Sequence, residues 1–298
     1  MTRRGKALAL AIGVFIAGLL FYSQPPRLDD TLALPDSPEA IARGRYLVSA
    51  GGCISCHAEV DDEGERVSEQ LSGGHALATD FGTFFAPNIT PDADTGIGAW
   101  DAQDFLLAMK HGRSPDGSFY YPAFPYRSYA GLSDADVLDI GAYLMSLEPV
   151  SNVVAEHSTP WWLSRLALIG WNFAADVLEG EAKAMAEDDQ PERALIERGA
   201  YLARSLGHCG ECHTPRNGLG ITTLDREFAG ASLGDEVVEA IDSEALAEWT
   251  REGFDLFLLL GMKPDADFVG GDMNEVIEHN TSRLTDEDRL ALAAFFTR

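Results

Sequence analysis

The sequence has few basic side chains for its length. It carries 22 lysine and arginine residues against 48 aspartate and glutamate residues in 298 positions, a formal net charge of -26 at pH 7. Binding to phosphate needs a basic surface, so no nucleic acid partner is expected. The acidic excess runs along the whole chain. This favours a general solubility adaptation over one patch that steers a basic protein partner.

Cysteine is also scarce, with four residues in the chain. All four lie in two copies of the pattern Cys-x-x-Cys-His, at residues 53–57 and 209–213. No further cysteine pair suggests a separate thiolate zinc centre, and no cysteine precedes Cys53 to hold a lipoprotein anchor.

Each motif has the spacing of a covalent haem c site. Two thiols three positions apart can each add to a haem vinyl group, and the adjacent imidazole is placed to bind the iron. A redox dithiol or a zinc site is the alternative, which the histidine after both copies disfavours. We therefore predict two covalently attached haem c groups, held by Cys53, Cys56 and His57 and by Cys209, Cys212 and His213.

Strand signals are scarce too, because no sustained alternation of apolar and polar residues separates turn clusters. The two motifs instead share a repeated frame: Arg-Gly-Arg-Tyr-Leu at 43–47 precedes the first, and Arg-Gly-Ala-Tyr-Leu at 198–202 precedes the second. Ser133 and Thr285 have the pattern of N-caps for a closing helix in each repeat. The sequence predicts an all-α fold that is used twice.

One long apolar run is present, at residues 7–22. Arg3, Arg4 and Lys6 precede it, which predicts export with the rest of the chain outside the cytoplasm. The run is short for a spanning helix of about 20 residues, yet no clean cleavage site follows it. We expect residues 1–30 to be a retained membrane anchor, with a cleaved signal peptide as the alternative.

Residues 151–192 are predicted to connect the two repeats. They hold three of the five tryptophans, Trp161, Trp162 and Trp171. This apolar part is either a helix packed between domains or a contact surface for a membrane or a large subunit. The acidic residues 179–189, followed by Pro191, are typical of a linker.

The sixth iron ligands differ between the repeats. In the second repeat, Met273 lies on a glycine-rich loop before the closing helices and is the expected ligand, with Met262 as the weaker candidate. The corresponding loop of the first repeat has Phe124, which cannot bind iron. Met109 is the nearest soft ligand there, and His111 is the alternative.

Four segments carry a resemblance to a known family. They are Phe-Ala-Pro-Asn-Ile-Thr-Pro-Asp at 85–92, Thr-Gly-Ile-Gly-Ala-Trp at 95–100, Tyr-Pro-Ala-Phe-Pro-Tyr at 121–126, and residues 207–217 around the second motif. With these segments the chain, from about Ser37 to its C-terminus, resembles the cytochrome c subunits of bacterial periplasmic membrane-associated dehydrogenases. Those dehydrogenases oxidise alcohols, aldehydes, sugars or heterocycles.

The resemblance implies two tandem cytochrome c domains, at residues 37–150 and 193–298, on the periplasmic side of the inner membrane. It implies electron transfer from a separate catalytic dehydrogenase subunit to quinone or to an oxidase or cytochrome, with no catalytic residue in this chain. It also implies that the Pro87 carbonyl orients His57 and that Arg216 lies near a haem propionate.

The chain departs from the family pattern in three ways. Many members have methionine where Phe124 stands, and many carry a third haem motif. The second repeat has the acidic stretch 235–248 in place of Ala-Pro-Asn-Ile-Thr, so nothing in the resemblance orients His213. Phe124 also leaves open a dihaem peroxidase with an open first haem. A thiosulfate-oxidising cytochrome is a weaker alternative, because its cysteine ligand is missing.

Overall fold

The chain is mostly helical in a computed structural model that describes residues 2–29, 31–61, 66–182, 192–234 and 236–297. The predicted helical fold class is confirmed. The helices are α1 (Arg3–Tyr22), α2 (Pro38–Ala50), α3 (Cys53–His57), α4 (Ala102–His111), α5 (Tyr126–Tyr129), α6 (Asp134–Met145), α7 (Ala167–Leu178), α8 (Arg193–Tyr201), α9 (Gly210–His213), α10 (Arg251–Leu260), α11 (Asp272–His279) and α12 (Asp286–Phe296). A short π-helix, Leu202–Leu206, continues α8 towards the second haem motif.

Both predicted N-caps are confirmed. The Ser133 side chain accepts a hydrogen bond of 3.1 Å from the backbone N–H of Asp136 at the start of α6. The Thr285 side chain accepts one of 3.2 Å from Asp288 at the start of α12. The two closing helices therefore begin in the same way, with acidic residues in the first turn to complement the helix dipole.

Each closing helix packs on the helix that precedes a haem motif. α6 packs on α2, and α12 packs on α8. A Cβ atom at Gly44 would lie 1.8 Å from the carbonyl oxygen of Asp139, and one at Gly199 would lie 2.0 Å from that of Ala291. Only glycine lets the backbones approach this closely, which explains why the repeated frame contains it.

In the described part of the chain, two short antiparallel hairpins lie between the helices, and the sequence did not predict them. β1 (Ala76–Thr79) pairs with β2 (Gly82–Phe85), and β3 (Ala231–Leu233) pairs with β4 (Glu236–Val238). Strands of three or four residues are too short to show an alternating pattern. Each hairpin follows a haem motif, so the hairpins are a further element that the repeats share.

The two repeats contribute to one apolar core. Its fully buried members include residues from both, among them Phe105, Leu106, Leu132, Leu202 and Leu206. Helices of one repeat also pack against elements of the other. α11 of the second repeat packs against α3 of the first, and α5 of the first packs against the π-helix of the second. The haem motifs therefore lie next to elements of the opposite repeat.

The N-terminal helix α1 is 20 residues long and apolar enough to cross a membrane, and its apolar window of 18 residues is not buried inside the rest of the chain. The predicted connector contains α7, whose residues Leu168, Asn172 and Ala175 are buried. Most of the predicted acidic linker, residues 183–191, lies outside the described residues, as does Asp235.

Candidate haem sites

The first motif forms the short helix α3, which starts after Gly52 in the left-handed region (φ 67°). His57 ends this helix, and its Nδ1 lies 2.8 Å from the carbonyl oxygen of Pro87. Burial is the main cause that lowers the pKa of His57, which favours the neutral imidazole that metals bind. The hydrogen bond at Nδ1 assigns the proton to that nitrogen, so Nε2 carries the lone pair for iron.

The second motif has the same arrangement, except that the main-chain carbonyl belongs to a glutamate and not to a proline. His213 Nδ1 lies 2.8 Å from the carbonyl oxygen of Glu239, and burial again lowers the pKa of the imidazole. Sequence reasoning missed Glu239, because a main-chain carbonyl leaves no side-chain signature. The acidic stretch that replaces the Ala-Pro-Asn-Ile-Thr segment thus supplies an equivalent atom directly after β4.

A glycine supports each histidine. The backbone N–H of Gly73 donates to the His57 carbonyl at 2.9 Å, and that of Gly230 donates to the His213 carbonyl at 2.8 Å. Both glycines are left-handed, with φ of 76° and 79°. A Cβ at Gly73 would lie 2.5 Å from the Pro87 carbonyl oxygen. Each motif is followed by one of these two glycines. That shared position is the signal in the sequence that could have indicated a main-chain carbonyl partner for His213 as well as for His57.

The four motif cysteines form no disulfide with one another. Burial raises the pKa of the Cys53 and Cys209 thiols to about 12, so each thiol is protonated before it is joined to a haem. Burial also raises the pKa of Cys212, the charges of Glu211 and Asp272 raise it further, and the charge of Arg216 lowers it. Asp272 at the start of α11 therefore lies near the second motif.

This donor set fits haem c at both sites. Each site offers two thiols one helical turn apart for the vinyl groups and an imidazole whose Nδ1 is held by a main-chain carbonyl. A structural zinc site would need further close thiolate or imidazole donors. Among the described residues, the cluster that could hold a metal ion is Glu275, Glu278 and His279, which includes no cysteine.

The loops that follow α4 and α10 have the same backbone structure. α4 ends at the left-handed Gly112 and α10 at the left-handed Gly261. The carbonyl of each glycine accepts a hydrogen bond from the residue eight positions later, at 2.7 Å from Tyr120 and at 2.9 Å from Val269. The loops can therefore be aligned residue by residue from the two glycines.

This alignment places Phe124 and Met273 at equivalent positions. Met273 is half-buried in the first turn of α11, next to Asp272, whose charge acts on Cys212. Phe124 packs among aromatic rings, with Tyr129 at a centroid distance of 5.7 Å. The first repeat thus has an aromatic side chain at the position of the predicted methionine ligand of the second.

The other candidate ligands lie elsewhere. Met109 is 9% exposed on α4 within the apolar core, and its counterpart in the second repeat is the buried Leu258. Packing alone therefore accounts for a long apolar side chain at that position. His111 is exposed at the end of α4, and Met262 is half-buried in the turn after α10.

Arg216 is held beside the second motif by a contact that the sequence did not predict. It forms an ion pair with Glu211, which stands between the two motif cysteines, and donates to the Gly220 carbonyl at 3.0 Å. Ser128 of the first repeat also donates to Glu211, at 2.6 Å. The guanidinium is thus held at the second haem motif, and Glu211 links that motif to α5.

A tyrosine of the first repeat reaches the closing helix of the second. The Tyr46 hydroxyl donates to Asp288 at 2.6 Å and accepts from the backbone N–H of Thr285 at 3.3 Å. Arg198 donates to both oxygens of the same carboxylate at 2.7 Å. The N-terminus of α12 is therefore bound to residues from both repeats.

The converse contact is also present. The Tyr201 hydroxyl of the second repeat donates to Asp136 and accepts from the backbone N–H of Ser133 at 3.2 Å. Tyr46 and Tyr201 hold equal places in the repeated frame, and each binds the capped end of the other repeat's closing helix. We call these two contacts the reciprocal tyrosine pair.

Comparisons with known proteins agree with this geometry. The cytochrome c family matches residues 41–148. A diheme cytochrome c-type protein of Cereibacter sphaeroides is 43% identical over 99% of this chain and 98% of its own length. The gluconate 2-dehydrogenase cytochrome c subunit of Pantoea cypripedii is 34% identical over 86% of this chain, and the fructose dehydrogenase cytochrome subunit of Gluconobacter japonicus is 33% identical over 97%.

The chain spans 58% of the length of each of these two dehydrogenase subunits, whereas it aligns with almost all of the diheme protein. The match to the diheme protein includes both Cys-x-x-Cys-His motifs, because it covers 99% of the chain. With two motifs of equal geometry and a relative of this identity over both full lengths, the chain belongs to the family of dihaem c-type cytochromes.

Proposed function

We propose that this chain is the dihaem electron-transfer subunit of a periplasmic dehydrogenase. It takes electrons from a separate catalytic subunit and passes them to the respiratory chain, through quinone or through an oxidase or cytochrome. The observation that carries the proposal is the equal geometry of the two histidines, each with Nδ1 2.8 Å from a main-chain carbonyl. The two dehydrogenase relatives, which are cytochrome subunits by name, support the same role.

Haem c, when bound, supplies a one-electron redox couple. Cys53, Cys56 and His57 would hold one group, and Cys209, Cys212 and His213 would hold the other. The carbonyls of Pro87 and Glu239 accept the Nδ1 proton, which fixes the orientation and tautomer of each imidazole. Arg216 would contribute a positive charge next to the second group.

Met273 would be the sixth ligand in the second repeat. A thioether at that position would raise the reduction potential of the haem and would close the iron to other ligands. In the first repeat we keep Met109 as the proposed ligand, because Phe124 cannot bind iron. The peroxidase alternative gains no support from the relatives above, whose names describe cytochromes and cytochrome subunits.

Two further parts of the proposal concern architecture. Residues 37–150 and 193–298 would form tandem cytochrome c domains, which the shared helix pairs, hairpins and glycines support. Residues 1–30 would be retained as an anchor in the inner membrane, with the haem sites on the periplasmic side, which the length and apolar character of α1 support.

Isolation of the complex tests this function. The full chain, tagged at its C-terminus, is purified from membranes of its own cells in a mild detergent, and copurifying proteins are identified by mass spectrometry. We expect a catalytic dehydrogenase subunit whose substrate, added without oxygen, reduces the haem absorption bands. A chain that purifies alone and is rapidly oxidised by peroxide would favour the peroxidase alternative instead.

A further inference from the structure

Helix α7 has two apolar faces. Leu168, Asn172 and Ala175 form its buried face against the protein. Residues on the opposite side of the helix, at spacings of three and four, are apolar or glycine and face outwards: Leu166 (78% exposed), Gly170, Phe173 (43%) and Val177 (66%). A helix that is apolar on two opposite sides is usually buried on both sides. In this structure the rest of the protein buries one side of α7.

The turn before α7 extends this surface. Trp161 is 92% exposed and Trp162 is 51% exposed. We call Trp161, Trp162, Leu166, Phe173 and Val177 the α7 outer face. Single exposed apolar residues are common, but a contiguous group of large ones marks a contact with a partner or a membrane. Tryptophan in particular is enriched where a protein meets the headgroup layer.

The end of α1 is fixed to the same helix. The Tyr22 hydroxyl donates to Asp176 at 2.6 Å, and its ring packs edge-on against Phe173 at a centroid distance of 5.8 Å. Arg113 donates to the Tyr22 carbonyl at 3.4 Å. Tyr22 is the last residue of α1, so these contacts leave no free tether between the apolar helix and α7.

Charge does not oppose contact between α7 and lipid. Asp176 is the charged residue of this twelve-residue helix, and it is paired with Arg127 at 3.0 Å as well as with Tyr22. The remaining side chains of α7 are apolar except Asn172, which is buried and hydrogen-bonded to Tyr126 at 2.9 Å. Within α7, the outer face therefore carries no charged group.

We propose that the α7 outer face lies in the interfacial layer of the bilayer that α1 spans. This inference rests on the proposed anchoring of residues 1–30. A spanning helix that starts with Arg3, Arg4 and Lys6 leaves the hydrocarbon region near Tyr22, and Tyr22 contacts α7 directly. The bilayer surface is thus the partner that this contact places next to the outer face, in preference to the catalytic subunit.

The consequence is a body held flat against the membrane. α1 fixes one point of the body, and the outer face of α7 adds an area of contact, so the body cannot rotate freely about the anchor. The haem sites would then keep one orientation towards the membrane.

Engineered thiols test this placement, because the four native cysteines are taken up by the haem sites. Leu166→Cys and Val177→Cys probe the outer face, and Val237→Cys on β4 (80% exposed) is the matched control. Each full-length haem-loaded variant is reconstituted in vesicles of phosphatidylethanolamine and phosphatidylglycerol. The reaction rate with an impermeant maleimide is measured, normalised to total labelling after denaturation. The haem spectrum of each variant checks its fold.

We expect residues 166 and 177 to react at least about tenfold more slowly than residue 237, because a thiol in the interfacial layer is shielded and ionises poorly. Equal rates at all three positions, in protein that still floats with the vesicles, would overturn the proposal while the anchor stands. Protection that arises on adding the purified catalytic subunit, and not from lipid, would overturn it in favour of a protein partner. Protein that does not float with the vesicles would contradict the anchor itself.

Discussion

At the scale of single residues, each haem motif depends on partners outside its five positions. His57 and His213 both have Nδ1 2.8 Å from a main-chain carbonyl, yet the carbonyls belong to a proline in one repeat and to a glutamate in the other. Because the interaction uses a main-chain atom, the side chains of Pro87 and Glu239 could diverge without loss of imidazole orientation. Both repeats keep a glycine, Gly73 or Gly230, at the point where the segment after the motif passes close to the carbonyl segment.

Gly73→Ala should therefore disturb the first haem site. The Cβ would lie 2.5 Å from the Pro87 carbonyl oxygen, so the carbonyl must move away from His57. We expect a shifted potential for one haem and a loss of about 1 kcal/mol or more of unfolding free energy beyond that of the control. Gly117→Ala is the control, since Gly117 also has a positive φ, 82°, but nothing lies within 4 Å of its Cβ position. Equal effects of both variants would contradict this role of Gly73.

Met273→Ala should open the iron of the second site and lower its potential. The expectation rests on the place of Met273 at the start of α11, next to Asp272 and hence near Cys212. Ferric and ferrous spectra with a potentiometric titration measure both effects. Met262→Ala is the comparison, and a response to Met262→Ala alone would move the ligand to that residue.

Met109→Leu tests the first site in the same way. If Met109 binds iron, wild-type haem 1 is low-spin and the variant becomes high-spin, although leucine preserves the packing that Leu258 provides in the second repeat. A low-spin wild type that responds only to His111→Ala would assign the ligand to His111. A wild type that is already high-spin and binds cyanide rapidly would contradict a closed first site.

At the scale of helices and strands, the reciprocal tyrosine pair joins the closing helix of each repeat to the other repeat. Tyr46 and Arg198 both bind the Asp288 carboxylate, whose side chain is 9% exposed. Burial alone would raise the pKa of Asp288, but these hydrogen bonds hold it below the usual value. The ionised form is therefore part of the folded interface at neutral pH.

Asp288→Asn should reduce stability by about 2 kcal/mol at neutral pH, since it leaves Arg198 without its anionic partner. A carboxyl with a lowered folded pKa stabilises fully above its unfolded pKa of about 4, and this contribution is lost as the pH falls through the folded pKa. The difference between wild type and variant should thus shrink below about pH 4 in thermal unfolding. Glu287→Gln, which changes an exposed neighbour in the same turn, is the control and should leave the unfolding free energy at neutral pH nearly unchanged.

The helices could be predicted from the sequence better than the contacts between them. Ser133 and Thr285 have clear N-cap patterns, and both caps form. The hairpins escaped prediction because their strands are too short to show a period. Glu239 escaped because its carbonyl has no signature, and Tyr46 because its partner Asp288 is 242 positions away in the chain. The repeated frame showed that Tyr46 and Tyr201 correspond, but not that they exchange partners.

At the scale of the whole molecule, the repeats are interleaved near their haem motifs. α11 of the second repeat packs on α3, and α5 of the first packs on the π-helix before the second motif. Ser128 at α5 also donates to Glu211 inside the second motif at 2.6 Å. Contacts of this kind between the motif regions suit transfer of electrons within one chain, and the reciprocal tyrosine pair would help to keep them constant.

Coulometric titration of the purified full-length protein tests the central claim most directly. Electrons are added stepwise without oxygen, and the number taken up per polypeptide is counted while the haem absorption bands are followed. Two motifs of equal geometry predict two electrons per chain, both accompanied by reduction of haem c. Uptake of one electron or none would contradict the assignment of a dihaem electron-transfer subunit.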